Sequence, residues 1–227
     1  TKLTTADLDA LTQWDTPTIC NALEITNPER RGFGYNVKPL TPLDPSLPPM
    51  IGYARTAKIR AAAPATVAAD RLEYYEYVAT GPRPTIVVIE DVDPSPGYGA
   101  FWGEVQTNVH KGLGAKGCVT NGCFRDVTDS APGFQLLGGM VNPSHAHVHL
   151  IEINCPVNVH GIEVVHGDII HADLHGAVVV PEDAVKRIPD AVDLLNRREA
   201  VILKAARAPD FNFEKLKVAI GTQADIH

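Results

Sequence analysis

Apolar positions along the chain change period several times, and each change predicts an element. Leu8, Leu11 and Trp14 share one face of a helix over 5–14, with Thr4 or Thr5 able to cap it. Thr16-Pro17 restarts a short helix through Leu23, with Pro17 in its first turn. Residues 26–50 carry six prolines and read as a long irregular connection, long enough to wrap a neighbour. A strand is expected over 52–60, a helix over about 66–79 and a short buried strand over 85–90 (TIVVIE). Phe101, Val105, Val109 and Leu113 recur at i+4 and predict a helix over 101–113, with Gly114 ending it. A further buried strand follows at 117–120, so this strand–helix–strand alternation implies a parallel βαβ unit. From 134 to 180 short β-rich segments alternate with Gly and Pro. Pro181-Glu182-Asp183 is then expected to open a long C-terminal helix, kinked near Pro189.

Composition bounds the class. The 227 residues are 44% hydrophobic and 21% charged, ordinary for a globular chain, and the pattern shows neither an internal repeat nor a linker. One domain over 1–227 is expected, with N-terminal helices in 1–25 and a helical extension over 181–227. A formal charge of −7 argues against broad nucleic-acid binding. No apolar run approaches the ~18 residues of a membrane span. The N-terminal stretch is polar and acidic, unlike a signal peptide. Cys20, Cys118, Cys123 and Cys155 show no C-x-x-C spacing and read as reduced thiols, so a cytoplasmic location is expected.

Seven of the nine histidines fall between His145 and His175. Gly139, His145, His147 and Glu152 give G-x5-H-x-H-x4-E, and on a strand His145, His147 and His149 would share a face. Imidazoles with a carboxylate suit Fe, Mn, Ni or Zn. The stretch resembles the first metal motif of the cupins. The second half of that pattern is missing: GIEVVHGDIIHADLHG lacks the expected Pro and Asn, and His171 is offset. The plainer reading is half-buried strand histidines satisfied by neighbours or at a subunit contact.

A second constellation lies in GEVQTNVHKGLGAKGCVTNGCFRD, residues 103–126. Arg125 offers a planar fork that matches a carboxylate. Asp126 is a hard oxygen ligand for Mg²⁺ or Mn²⁺. Adjacent residues on a strand point to opposite faces, so a turn must aim both at one site, and Asn121-Gly122 is expected to supply it. That site would lie beyond the carboxyl end of a parallel strand. Glu104, near the start of the preceding helix, can orient a metal-bound water or act as general base, and free amides there can hold an oxyanion. His110 either faces the site or covers the helix.

This segment resembles the signature of the RraA-like family, which includes 4-hydroxy-4-methyl-2-oxoglutarate and 4-carboxy-4-hydroxy-2-oxoadipate aldolases and the regulator of ribonuclease activity A. The resemblance is carried by Gly103-Glu104, Gly114, Gly117, Val119, Asn121-Gly122 and Arg125-Asp126. It extends to TPTICNAL, to Gly52, Ala54 and Thr56, and to the run from Pro156 through Gly167-Asp168 and Ala172-Asp173 to Gly176. It implies an α/β fold, a swivelling β/β/α domain with N- and C-terminal helices. It implies a metal-dependent lyase that cleaves a 4-hydroxy-2-keto acid to pyruvate or decarboxylates oxaloacetate, or else a non-catalytic regulator. Asp126 would bind Mg²⁺ or Mn²⁺, Arg125 the keto acid, and Glu104 a water beside the metal. The backbone of Trp102, Gly103, Val105 and Gln106 would meet the substrate carboxylate. The family forms trimers or hexamers in which a neighbour adds an acidic residue, for which Glu199 is a loose candidate. Asn121 stands where Asp is usual, His166 where many relatives have Pro, and Phe101-Trp102 are bulky beside the site.

Overall fold

The computed structural model describes residues 2–227. Its centre is a mixed sheet. The strands β1 (Thr41–Pro42), β2 (Met50–Arg60), β3 (Thr85–Asp91), β4 (Ala115–Thr120) and β6 (Gln135–Gly138) lie in the order β1-β6-β4-β3-β2. The order continues through β11 (Ile169–Asp173) to β12 (Gly176–Val180), while β5 (Cys123–Phe124) and β7 (Met140–Val141) form a separate parallel pair. From β6 to β2 the strands are parallel, while β1, β11 and β12 run antiparallel to their neighbours. The long β2 pairs with β11 along its first residues and with β8 (His149–Ile153) along its last, shifting register between Lys58 and Ile59.

The parallel strands carry the expected crossovers, α3 (Arg71–Ala79) before β3 and α4 (Glu104–Gly112) before β4. Strand alternation sorts β3 between two layers. Ile86 and Val88 pack with the hairpin β9 (Val157–Val159) and β10 (Ile162–Val164), whereas Val87 and Ile89 pack under α3 with Tyr74, Val78, Trp102 and Phe134. A third cluster joins the start of β2 and β11–β12 to α1 (Thr5–Asp9), α2 (Thr16–Thr26) and α5 (Ile188–Ala206). The helix α6 (Phe213–Ala224) packs back on α5. No helix among the described residues is long and apolar enough to cross a membrane.

Local chemistry explains most element ends. Thr4 forms a full capping box with Asp7, and Asp15 caps α2 with Pro17 behind it. Three expectations need correction. The helix expected from 66 starts at Arg71, because the Asp70 carboxylate accepts the Leu72 and Glu73 amides and fixes the cap there. Pro189 does not kink a helix begun at Pro181: residues 182–187 form turns, and Pro189 sits in the first turn of α5, where its missing N–H costs nothing. The helix expected over 101–113 begins at Glu104, and its buried face is Thr107 and His110, while Val105 is 69% exposed. The four cysteines are free, with Cys118, Cys123 and Cys155 buried.

Candidate active site

Three loops leave the carboxyl ends of parallel strands: residues 61–70 after β2, 92–103 after β3 and 121–126 after β4. With the segment 142–148 they enclose a cavity of about 480 Å³. Buried carboxylates tie the loops together. Asp93 Oδ2 accepts the amides of Ala61 (2.7 Å) and Ala62 (2.9 Å). Asp91 accepts those of Asp93 and Gly97, while burial holds its carboxyl above the ordinary range.

Arg125 and Asp126 both line this cavity. The turn that aims them is at Asp126 itself, whose φ of +54° is left-handed and uncommon for a residue with a Cβ. Three bonds to its carbonyl hold that conformation, from the amides of Asp129 (3.0 Å) and Ser130 (2.9 Å) and from Ser130 Oγ (2.9 Å). The Arg125 amide donates to the Trp102 carbonyl at 3.0 Å, which lays residues 102–103 alongside 124–126. The two side chains are each 37% exposed, with Arg125 Nε 3.7 Å from Asp126 Oδ2. Asn121, expected to supply the turn, is instead a buried clamp. Its Oδ1 accepts the Asp91 amide (2.7 Å) and its Nδ2 donates to the Asp91 carbonyl (2.9 Å). An ionised aspartate could accept but not donate there.

The remaining expected residues cluster at the start of α4. Gly103 is the N-cap and has no side chain to cap with, so Asp126 does so from another segment: the Glu104 amide donates to its Oδ2 at 3.0 Å. The approach needs a glycine, since a Cβ on Gly103 would overlap that oxygen. The Glu104 side chain is exposed and, unlike those of Arg125 and Asp126, does not belong to the cavity lining. Val105 and Gln106 line the cavity, where first-turn amides have no intrahelical acceptor. Gln106 Oε1 accepts from Tyr75 at 3.0 Å. The indole of Trp102 is core, 1% exposed and stacked on Phe134, so this residue can offer a ligand only main chain. His110 is buried beneath, between the Tyr74 hydroxyl and the Gln106 carbonyl, and burial drops its pKa to about 4. Glu199 lies on the exposed face of α5 and does not line the cavity.

The histidine-rich stretch is not a single strand face. His145 and His147 precede β8 in an irregular segment with Ala146 left-handed, and only His149 belongs to the strand. His171 is buried against Thr16 and the Leu11 carbonyl, and His175 bonds Asp173. Among the described residues no three His, Cys, Asp or Glu side chains gather closely enough to hold a metal by themselves. Yet His145 and His149 line the Arg125–Asp126 cavity, as does Arg71. These three were missed as companions of Arg125. The strand reading hid the histidines, and nothing in the sequence marks Arg71.

The RraA-like family model, described as Aldolase/RraA, matches residues 16–179. Uncharacterized protein MJ0644 of Methanocaldococcus jannaschii is 32% identical over 118 residues, 51% of this chain and 57% of that protein. The chain thus matches little more than half the length of that relative. Among solved structures, an uncharacterized protein from Pseudomonas syringae pv. tomato str. DC3000 superposes with a TM-score of 0.72. It is 21% identical, and the match covers 98% of this chain and 96% of that one. Streptomyces coelicolor RraAS2, described as an unusual member of the RNase ES inhibitor RraA protein family, gives 0.69 at 22% identity, covering 88% and 96%. At these identities the structural likeness speaks to the fold, the mixed α/β architecture described above.

Proposed function

Because the chain belongs to the RraA-like family, we propose that it is a divalent-metal-dependent lyase. It would cleave a carbon–carbon bond of a 4-hydroxy-2-keto acid in the retro-aldol sense to release pyruvate, and decarboxylate oxaloacetate at the same site. The observation that carries this reading is Arg125 and Asp126 turned into one cavity at the amino end of α4.

The residues fit a water-rich Mg²⁺ or Mn²⁺ site better than a protein-caged ion. Asp126 Oδ2 is engaged by the Glu104 amide, which leaves Oδ1 for a cation. One carboxylate completed by water and substrate oxygens is how Mg²⁺ is commonly held. The bound cation supplies a Lewis acid for the 2-keto oxygen. Arg125 then pairs with the substrate carboxylate, helped by the free amides of Val105 and Gln106. Glu104, whose amide bonds Asp126 Oδ2, would hold a water for the reacting carbons from the rim of α4. Breaking the bond to C3 leaves an electron pair delocalised onto the C2 oxygen, and the fixed Arg125 charge stabilises it as it develops. Aldol cleavage and oxaloacetate decarboxylation yield this same enolate, so one site serves both.

We further propose a homotrimer or homohexamer in which a neighbour's acidic residue, with Glu199 as candidate, completes the site. Exposed Phe33 and Val37 in the proline-rich segment, and Phe213, Val218 and Ile220 on α6, support an assembly that covers them. A second reading, a regulator of the same fold without chemistry, is favoured by the inhibitor description of the Streptomyces neighbour.

Arg125→Ala and Asp126→Ala should each abolish pyruvate release from a panel of 4-hydroxy-2-keto acids and oxaloacetate with Mg²⁺. Near-normal kcat in both variants, on a substrate the wild type turns over, sinks the enzyme reading. Calorimetric titration of Mg²⁺ with and without oxalate separates enzyme from regulator. Light scattering that gives a monomer would overturn the assembly.

A further inference from the structure

We propose that His145 is a catalytic base that takes the proton of the substrate's C4 hydroxyl. The inference rests on the aldolase reading above and assigns it a residue.

The argument starts from the imidazole's own bonds. His145 Nδ1 lies 2.8 Å from the Ala146 carbonyl oxygen. A carbonyl only accepts, so Nδ1 carries the hydrogen, and Nε2 of the neutral ring is left as a bare lone pair. No protein group bonds that nitrogen among the described residues, and His145, an exposed residue, belongs to the lining of the cavity of Arg125 and Asp126. A lone pair recognises a donor. An ionised 2-keto acid has carboxylates and a carbonyl, all acceptors, and the C4 hydroxyl is its one donor.

The segment carrying His145 is fixed to the site rather than loosely draped over it. Arg125 Nη1 donates to the Pro143 carbonyl (3.4 Å), and the Ala100 amide to the Ser144 carbonyl (2.9 Å). The His147 amide bonds the Ala61 carbonyl (3.1 Å), and the Val148 amide closes a turn onto His145 (3.0 Å). Gly99 packs so closely on the His145 carbonyl that a Cβ would overlap it. Ala146, whose carbonyl accepts the hydrogen bond from His145 Nδ1, is left-handed at φ +44°. Strained non-glycine backbone of this kind persists only where the surroundings over-determine it. His149 also gives its Nδ1 hydrogen to a carbonyl, that of His147 (2.7 Å). It belongs to β8, however, while the segment touching Arg125 directly is the one leading into His145.

The step balances as follows. Nε2 takes the hydroxyl proton, and the O–H electron pair becomes the new C4=O π bond. The C3–C4 bond breaks, and its pair passes to C3 and onto the C2 oxygen as the enolate. The imidazolium then returns the proton to C3, giving pyruvate and the carbonyl fragment. Oxaloacetate has no C4 hydroxyl, so its decarboxylation does not use this base.

The test compares His145→Ala and His149→Ala with wild type on 4-hydroxy-4-methyl-2-oxoglutarate and on oxaloacetate, with Mg²⁺. Oxalate affinity in the presence of Mg²⁺ reports whether the Arg125 site is intact. In His145→Ala the ratio of aldol cleavage to decarboxylation should fall by about 10²-fold or more, in kcat rather than KM, with oxalate binding retained. An unchanged ratio overturns the assignment. So does loss of oxalate binding in parallel, which marks a structural role, or a split that appears in His149→Ala instead. A wild type that decarboxylates oxaloacetate but cleaves no aldol removes the base and leaves the lyase site standing. A wild type that does neither, and binds no oxalate, removes the proposed function as well.

Discussion

Gly103→Ala isolates the contact on which the candidate site turns. The backbone there is extended, at φ −170°, a conformation alanine adopts freely, so the substitution carries no dihedral penalty. The whole effect is steric. The new Cβ would come closer to Asp126 Oδ2 than the 3.0 Å that real Cβ contacts essentially never breach, and would sit 3.3 Å from Arg125 Cγ and Asp126 Cγ. The carboxylate must retreat, stretching its bond to the Glu104 amide, the cap of α4. A helix cap is worth about 0.5–2 kcal/mol, and the partial exposure of Asp126 argues for about 1 kcal/mol. For a chain of this size that lowers Tm by about 2–4 °C. Activity should suffer more, because misplacement of a reacting group by ~1 Å can cost ~10²-fold. Urea denaturation with linear extrapolation reads the stability, and pyruvate release reads the chemistry. Gly112→Ala on the same helix is the control: nothing lies within 4 Å of its Cβ, so it should gain about 0.5–1 kcal/mol. Gly103→Ala with wild-type stability and wild-type kcat/KM would show that the carboxylate is not held against the Glu104 amide.

Two further perturbations test the scaffold. Asn121→Asp removes the donor to the Asp91 carbonyl and buries a charge beside it; at pH 7 it should cost about 1–3 kcal/mol, shrinking as the pH falls and the carboxyl protonates. An unchanged urea midpoint would refute the clamp. His110 titrates at about 4 when folded against 6.5 as the ordinary value, so between those limits the unfolded chain binds the extra proton. Stability is therefore fully present above pH 6.5 and lost as the pH falls toward 4, by about 3 kcal/mol at most. His110→Phe should be offset by the lost Tyr74 bond but should lack this slope; parallel stability–pH curves for the two proteins would exclude His110 as the cause.

The parts of this molecule legible from sequence are those fixed by local rules. The short apolar run TIVVIE became a central parallel strand because both its faces are covered, and Thr4, Asp15 and Pro17 mark helix starts by chemistry acting within three residues. The Arg125–Asp126 pair is legible in the sequence, but the turn that aims it is not. Asn121-Gly122 carries the usual turn residues, while the left-handed residue is an aspartate locked by Ser130 and Asp129. The stripe Phe101–Leu113 has helical period yet is not the buried face, because an aromatic cluster recruits His110 inward and the Ala131 amide bonds Thr107 Oγ1. Alternating histidines imitate a strand, but Ala146 breaks the alternation, and that conformation depends on contacts with residues 61 and 99–100. At Asp126 the deciding partners lie three and four residues on, whereas for the helix stripe and the histidines they lie far away in the chain.

Those distant partners also explain why fold and chemistry are hard to separate here. Asp126 caps α4, and in the proposed mechanism it holds the cation through its other oxygen. Its left-handed backbone is costly for a residue with a Cβ, and three hydrogen bonds to one carbonyl offset that cost. The same device recurs across the cavity, where the carbonyl of left-handed Ala146 accepts the hydrogen bond from His145 Nδ1 while backbone bonds pin both flanks of the segment. Arg125 joins the halves through Pro143. A substitution at any of these positions therefore moves both walls. Single-variant losses of activity around this cavity will not add, and only the ratio of two reactions at one site, or a double-mutant cycle, can assign a loss to one side chain.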